Sequence, residues 1–137
     1  MKTVLKQCLI EVNGVDLSDH ASSVELSMEK ADIDTTNFSG GGKEHAHGLS
    51  DDKITINFQQ DFDAAEVNAT LMPLYTGESE FTVVVRPNPG AVSATNPNFT
   101  ATCILLKYQP LSGKVGDLSE TKVEFQTQRT GITMATS

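Results

Sequence analysis

The chain has 137 residues and carries 18 acidic against 10 basic side chains, a formal charge of −8 at pH 7. An acidic surface repels phosphate and has few cations with which to release counterions, which excludes a tight DNA or RNA binder but not a surface that nucleic acid slides past. Hydrophobic residues at 38% and charged residues at 20% suit a folded domain with a core, and the absence of Trp beside only two Tyr disfavours an aromatic-lined ligand cage.

The first residues, MKTVLKQCLIEVNG, are basic but lack a long apolar stretch and a small-residue cleavage site, so they do not read as a signal peptide. No apolar run approaches the length of a membrane span. Cys8 to Val12 reads as a short apolar strand that stops at Asn13-Gly14, a dipeptide suited to the positive φ angles of a tight turn. Val15-Asp16-Leu17 follows, then a polar SDH turn in which His20 reads as a surface or packing residue. Ser22 to Lys30 alternates: Val24, Leu26 and Met28 share one face, Glu25, Ser27 and Glu29 the other. Burying the three apolar side chains is worth roughly 1.5–3 kcal/mol each, and a slip of one residue buries glutamates instead.

Residues 31–52 read as a long polar, glycine-containing loop centred on Gly40-Gly41-Gly42; loops of this length usually have a job. Lys53 to Gln60 alternates again, with Ile54, Ile56 and Phe58 on one face. A helix is predicted next. Asp63 is placed to cap it, with Glu66 completing a capping-box-like pair. Ala64, Val67, Leu71 and Leu74 form an apolar stripe, and Pro73 and Gly77 limit its length. Glu80 to Arg86 reads as a buried, β-branched strand, followed by the proline-rich loop Pro87–Pro97. Phe99 to Tyr108 reads as a long strand apolar on both faces, and Leu111 to Leu118 as a glycine-containing turn. Glu120 to Gln128 reads as the last clear strand, with Val123 and Phe125 inward and Lys122, Glu124, Gln126 and Gln128 outward. Residues 129–137 read as a C-terminal tail or a short strand. The pattern is mainly β: about six strands and one helix, a β-sandwich or barrel with a flanking α-helix, in a single domain over 1–137 with no linker and no repeat.

Candidate chemistry is weak. His45 and His47, near Glu44, Asp51 and Asp52, offer metal-type ligands, but a flexible loop does not hold them rigidly, so no metal is expected. Gly40-Gly41-Gly42-Lys43 is followed by Glu44, not Ser or Thr, which excludes a Walker loop. No GxSxG elbow and no CxxC occurs, and the Asn68 and Asn98 glycosylation patterns read as chance matches. Cys8 and Cys103 sit in apolar runs and suit buried thiols in a reducing cytoplasm; a bridge between them stays open, because sequence does not set its geometry. No cofactor and no catalytic activity are expected. A glycan-binding β-sandwich is a rival reading that the lack of Trp weakens.

Several stretches in order carry a resemblance: VNGVDLSDHASSVELS at Val12–Ser27, DTTNF at Asp34–Phe38, GGGKEHAHGLSDDKITINFQQDFDAAEVNATLMPL at Gly40–Leu74, VVVRP at Val83–Pro87, VSATNPNFTATCILLKYQPLSG at Val92–Gly113 and VGDLSETKVEF at Val115–Phe125. Together they resemble the tail-tube (major tail) proteins of siphophages, especially those of actinobacterial hosts. The resemblance implies a structural virion protein, made in the host cytoplasm, whose copies form rings, usually hexameric. Rings stack around a tape-measure protein, meet terminator and tail-tip proteins, and later pass DNA through the channel without binding it tightly or binding a membrane. On that reading Glu25, Ser27, Glu29, Lys122, Glu124, Gln126 and Gln128 are candidate lumen-facing residues. Thr35, Phe38, Gly40, Gly41, Gly42, Lys43 and Glu44 form the candidate inter-ring loop. A tail terminator, a baseplate-hub protein or the inner tube of a contractile injection machine shares the expected fold and remains the alternative.

Overall fold

The computed structural model describes residues 2–137. It is mainly β, with one α-helix. The strands are β1 (Leu9–Val12), β2 (Val15–Asp16), β3 (Ala21–Ser27), β4 (Lys30–Asp34), β5 (His45–Ser50), β6 (Lys53–Gln59), β7 (Phe81–Arg86), β8 (Asn98–Leu105), β9 (Glu120–Thr127) and β10 (Thr133–Ala135), and α1 spans Val67–Thr76. Eight strands form one antiparallel sheet in the order β2-β1-β7-β8-β9-β6-β3, with β10 on β8, while β4 and β5 pair with each other.

Strict alternation builds the sheet. Ile54, Ile56 and Phe58 of β6 and Val123 and Phe125 of β9 are fully buried, in one cluster with Val83 of β7 and Cys103 of β8. The registers Ile54↔Phe125 and Ile56↔Val123 put apolar partners side by side, so the pairing and the burial reinforce each other. Because one face of every long strand feeds a single cluster, the sheet curls round it, and Phe125 sits edge-on to Phe58 and Phe81 at the centre. Asn13 and Gly14, with φ of 51° and 82°, make the tight turn between β1 and β2 that their types predict.

Helix α1 contributes Val67, Leu71 and Leu74 to the cluster. Its start differs from expectation. Ala65 adopts a left-handed φ of 62°, which delays the helix to Val67, so Asp63 and Ala64 lie outside it, and Glu66 stands at the N-cap without a side-chain cap bond. The helix also runs through Pro73 for a further turn and ends before Gly77, whose N–H bonds to the Pro73 carbonyl.

Two other expectations change. Strand β8 ends at Leu105, and Leu106 is exposed, so the run apolar on both faces belongs partly to a loop. Strand β3 pairs, among the described residues, with β6 alone. Its Val24 and Leu26 are only half-buried, and Met28 lies beyond its end and is exposed. An edge strand lacks a neighbour on one side, so the burial foreseen for its apolar face is incomplete within one copy.

Residues 31–52 are not an unstructured loop. They form most of the β4–β5 hairpin, whose strand pairs run from Lys30↔Ser50 to Asp34↔His45 with an irregularity near Lys30. Residues 133–135 add β10 to β8, so the C-terminal segment is a strand over that length.

Candidate assembly surfaces

Sheet registers place five of the seven lumen candidates on one face. Glu25, Thr55 and Glu124 form one cross-strand row, and Ser27, Lys53 and Gln126 the next. Ser23, Asn57 and Lys122 form a third. This is the outward face of β3, β6 and β9, opposite the core. It is not purely acidic: Lys53 Nζ lies 3.3 Å from Glu124 Oε1, and Asn57 Nδ2 donates to Glu120 Oε2 at 2.9 Å. Glu29 and Gln128 fall beyond the strand ends, where their backbone N–H groups bond to Asp52 Oδ1 and the Thr102 carbonyl.

The seven candidates of the 31–52 segment lie together at the hairpin tip, residues 35–44. The Thr35 N–H donates to the Glu44 carbonyl, and Thr36 Oγ1 accepts from the Glu44 N–H at 2.9 Å. Asp34 Oδ1 accepts from the Thr36 N–H and holds its own carboxyl below the usual carboxylate range, the hydrogen bonds from Thr36 being the cause. Phe38 projects from this tip fully exposed. Every residue of β4 is exposed, as is β5 apart from a half-buried Gly48, and Ile33 and Leu49 present apolar surface to solvent. Gly48 lies so close to β4 that a Cβ there would sit 2.8 Å from the Ala31 Cβ.

The hairpin is anchored at its base by a residue that sequence placed only among weak metal ligands. Asp52 is 4% exposed. Its Oδ1 accepts from the Glu29 N–H at 3.0 Å, where the chain enters the hairpin. Its Oδ2 accepts from the Ile132 N–H at 2.9 Å, just before β10. One buried carboxylate thus fixes the hairpin base to the C-terminal strand. Gly131 makes the approach feasible: its φ is +70°, and a Cβ there would overlap Asp52 Oδ2. A buried Asp can be read from sequence only when its partners are known, and here both partners are backbone groups distant in the chain.

His20, half-buried in its turn, also has more partners than its place in a polar turn predicts. Its Nδ1 lies 2.8 Å from Asp19 Oδ1 and 3.4 Å from Glu66 Oε2, and its Nε2 lies 2.8 Å from Asp61 Oδ2, with the ring side chain 17% exposed. Asp19, His20 and Glu66 each offer a metal-type atom within 4.8 Å of one another, but the ring nitrogens already face carboxylates at hydrogen-bond distance. His45 pairs with Asp32 across the exposed hairpin at 2.7 Å, and among the described residues His47 joins no metal-type cluster with it. Cys8 and Cys103 are free thiols; burial pushes the Cys103 thiol up to about 12, which keeps it unreactive.

No protein-family model and no curated protein sequence matches the chain. Solved structures do. The chain aligns over 99% of its length, and 99% of the other chain, with a chain from the tail of an empty gene transfer agent particle refined with helical C6 symmetry, at TM-score 0.70 and 11% identity. A chain from the virion of a native gene transfer agent particle aligns at TM-score 0.69 and 10% identity, over 94% of this chain and 95% of that one. A chain of the sheath–tube complex of an extracellular contractile injection system, PVC, in its extended state, aligns at TM-score 0.71 and 9% identity, over 99% of this chain and 93% of that one. This chain has the fold seen in those tail and sheath–tube assemblies. At such low identity the likeness is one of architecture, and no residue role is carried across by it.

Proposed function

We propose that the chain is the repeating subunit of a long phage tail tube, a structural virion protein of the siphophage type whose copies close into hexameric rings and stack into a DNA-conducting channel. The observation that carries this reading is the end-to-end likeness to a tail solved with C6 helical symmetry, in which neither chain is left with an unmatched domain. The physics of the single copy supports it. Strand β3 leaves one edge and half its apolar face uncovered, and β4–β5 projects with no core of its own. Identical neighbours supply what both lack, since ring closure removes free sheet edges.

In such a tube, Glu25, Ser27, Lys122, Glu124 and Gln126 line the bore together with Glu29 and Gln128, and the tip residues Thr35, Phe38, Gly40 to Gly42, Lys43 and Glu44 meet the next ring. A bore in which Lys53 and Lys122 are offset by Glu25, Glu29 and Glu124 offers DNA no net positive surface and keeps it moving, because favourable contacts repeated at each ring would add to a barrier against sliding. Tape-measure and terminator proteins are the further partners. No catalytic step belongs to this role.

The test is negative-stain microscopy of the purified protein, alone and with tail-initiation proteins. Rings or tubes are the expected outcome. A protein that stays monomeric over a wide concentration range in both settings would overturn the reading. The likeness to the contractile sheath–tube complex supports the alternative of an inner-tube subunit of a contractile machine, and a terminator or hub of the same fold is the other alternative. Copy number separates the roles: a tube subunit is present in many rings per particle, a terminator or hub in one, and an inner tube is accompanied by a sheath.

A further inference from the structure

The entry to α1 has little local support. Glu66 provides no side-chain cap, Ala65 holds a left-handed φ of 62° that non-glycine residues resist, and the Asn68 N–H is satisfied by the Asp61 carbonyl at 3.0 Å. What holds Asp61 is therefore decisive for the start of the helix. Asp61 Oδ1 accepts from the Asp63 N–H at 2.9 Å, and Asp61 Oδ2 meets His20 Nε2. The charged groups facing the His20 ring are Asp19, from its own turn, and Asp61 and Glu66, from the connection between β6 and α1.

A neutral imidazole donates from one nitrogen only. If Nε2–H donates to Asp61, a neutral ring points its Nδ1 lone pair at Asp19 Oδ1 at 2.8 Å and Glu66 Oε2 at 3.4 Å, which repels. Only the doubly protonated ring satisfies both sides.

We propose that His20 is a proton-operated latch: its imidazolium ties the turn after β2 to the segment that launches α1, and loss of the proton releases that segment. The release reaches further, because Asn68 Oδ1 accepts from the Tyr108 hydroxyl at 2.9 Å, and Tyr108 accepts from Gln60 Nε2 at 3.0 Å. The latch thus also steadies the chain that follows β8. It is independent of the assembly reading and is tested on the single chain.

Burial of the ring pulls its pKa down, but the hydrogen bonds to Asp61 and Asp19 and the charges of Asp19 and Glu66 outweigh burial and raise it above the ordinary 6.5. A raised histidine pKa stabilises the fold fully below 6.5, and that stability is lost as pH rises through the folded-state value. Asp61 moves in the matching direction: the Asp63 N–H and the His20 ring hold its carboxyl below the usual range.

The experiment is amide hydrogen exchange by NMR on the full chain from about pH 6 to about pH 9, reading protection factors at Asn68 and Thr70 against the β6 amides. Protection at the helix entry is expected to fall as pH rises, by about tenfold for each unit by which the ring's pKa exceeds its unfolded value. His20→Gln is expected to give low protection at the helix entry with no such fall. His45→Gln, which removes the exposed Asp32 pair, is expected to behave as the parent. A flat parent profile, or an unchanged slope in His20→Gln, would overturn the latch. Should His20→Gln not fold, the ring's own titration in the parent decides: a midpoint at or below 6.5 refutes the proposal, and one above it that drops in Asp61→Asn supports it.

Discussion

Strand β6 and the hairpin β4–β5 follow one another in the chain and are opposite in physics. In β6, Ile54, Ile56 and Phe58 are fully buried and every pairing partner is fixed on both sides by β3 and β9. In the hairpin, β4 is exposed along its whole length, and Ile33, Leu49 and Phe38 face solvent. The first is held by what it removes from water. The second is held by backbone pairing, by the Thr36–Glu44 bonds at its tip and by Asp52 at its base. A two-stranded hairpin without a buried face is marginal in water. The contrast teaches that the centre of the sheet has its stability supplied within one copy, whereas its β3 edge and the exposed hairpin do not.

The comparison breaks most easily from the sheet side. Phe125 is fully buried and lies edge-on to Phe58 and Phe81, with ring centroids 6.5 and 5.7 Å away. Phe125→Ala should destabilise the fold by about 3–5 kcal/mol, measured by urea unfolding. A loss below about 1 kcal/mol would mean that the sheet does not depend on this core, and the contrast with the hairpin would fail.

Next in size is the joint between the two regions. In Asp52→Asn one acceptor oxygen is replaced by an NH2 group that faces a backbone N–H, either that of Glu29 or that of Ile132. The expected cost is roughly 2–4 kcal/mol, because hydrogen bonds to a charged group are lost and a buried donor is left unpaired. Exchange should quicken most at the amide that faces the NH2 and, through the shared side chain, at the other amide as well. If the amide that keeps its oxygen acceptor were unaffected, Asp52 would not couple the hairpin base to β10.

A smaller effect is expected inside the hairpin. Gly48→Val places a branched side chain against Ala31, where even a Cβ would come within 2.8 Å of its neighbour. Protection of the β4–β5 amides should collapse while the unfolding midpoint of the sheet moves by less than about 1 kcal/mol, since the hairpin buries little. A loss of sheet stability equal to that of the core variant would show that the two regions fold as one unit.

What the sequence made legible follows the same division. Where one face is buried, period two is written into the residues, and Lys53–Gln59, Phe81–Arg86 and Glu120–Thr127 match their expected strands closely. The hairpin reads as a loop because its apolar side is short and weak: Ala31 and Ile33 alternate with charged residues in KADID, but they face Ala46 and Gly48 rather than large side chains, and only the pairing of the two segments makes them β. The helix stripe of Val67, Leu71 and Leu74 is visible in the sequence, whereas the helix start is not, because the left-handed Ala65 overrides the capping pattern at Asp63. Of the site residues, the cross-strand rows of Glu25 and Glu124 follow from alternation once the order β3-β6-β9 is known. Asp52 and His20 do not, since their partners lie up to 80 residues away and include backbone groups that no side-chain pattern records.

The smallest effect on the single chain is the most informative for function. Phe38 is fully exposed at the hairpin tip and Leu49 is 87% exposed on β5. In an isolated copy neither contacts a core, so Phe38→Ser and Leu49→Ser should change unfolding stability by no more than about 0.5 kcal/mol. A soluble monomer gains nothing from presenting a phenylalanine on a stiffened tip, and such exposed apolar groups become energetic anchors only when a partner desolvates them. If the chain assembles as proposed, the double variant should leave sedimentation and unfolding of the monomer unaltered and yet form no tubes, as seen by electron microscopy under conditions in which the parent forms them. Normal tubes from the double variant would remove the hairpin tip from the proposed stacking contact and point to the Pro87–Pro97 loop or the chain ends instead, leaving the proposal for the free edge of β3 untouched.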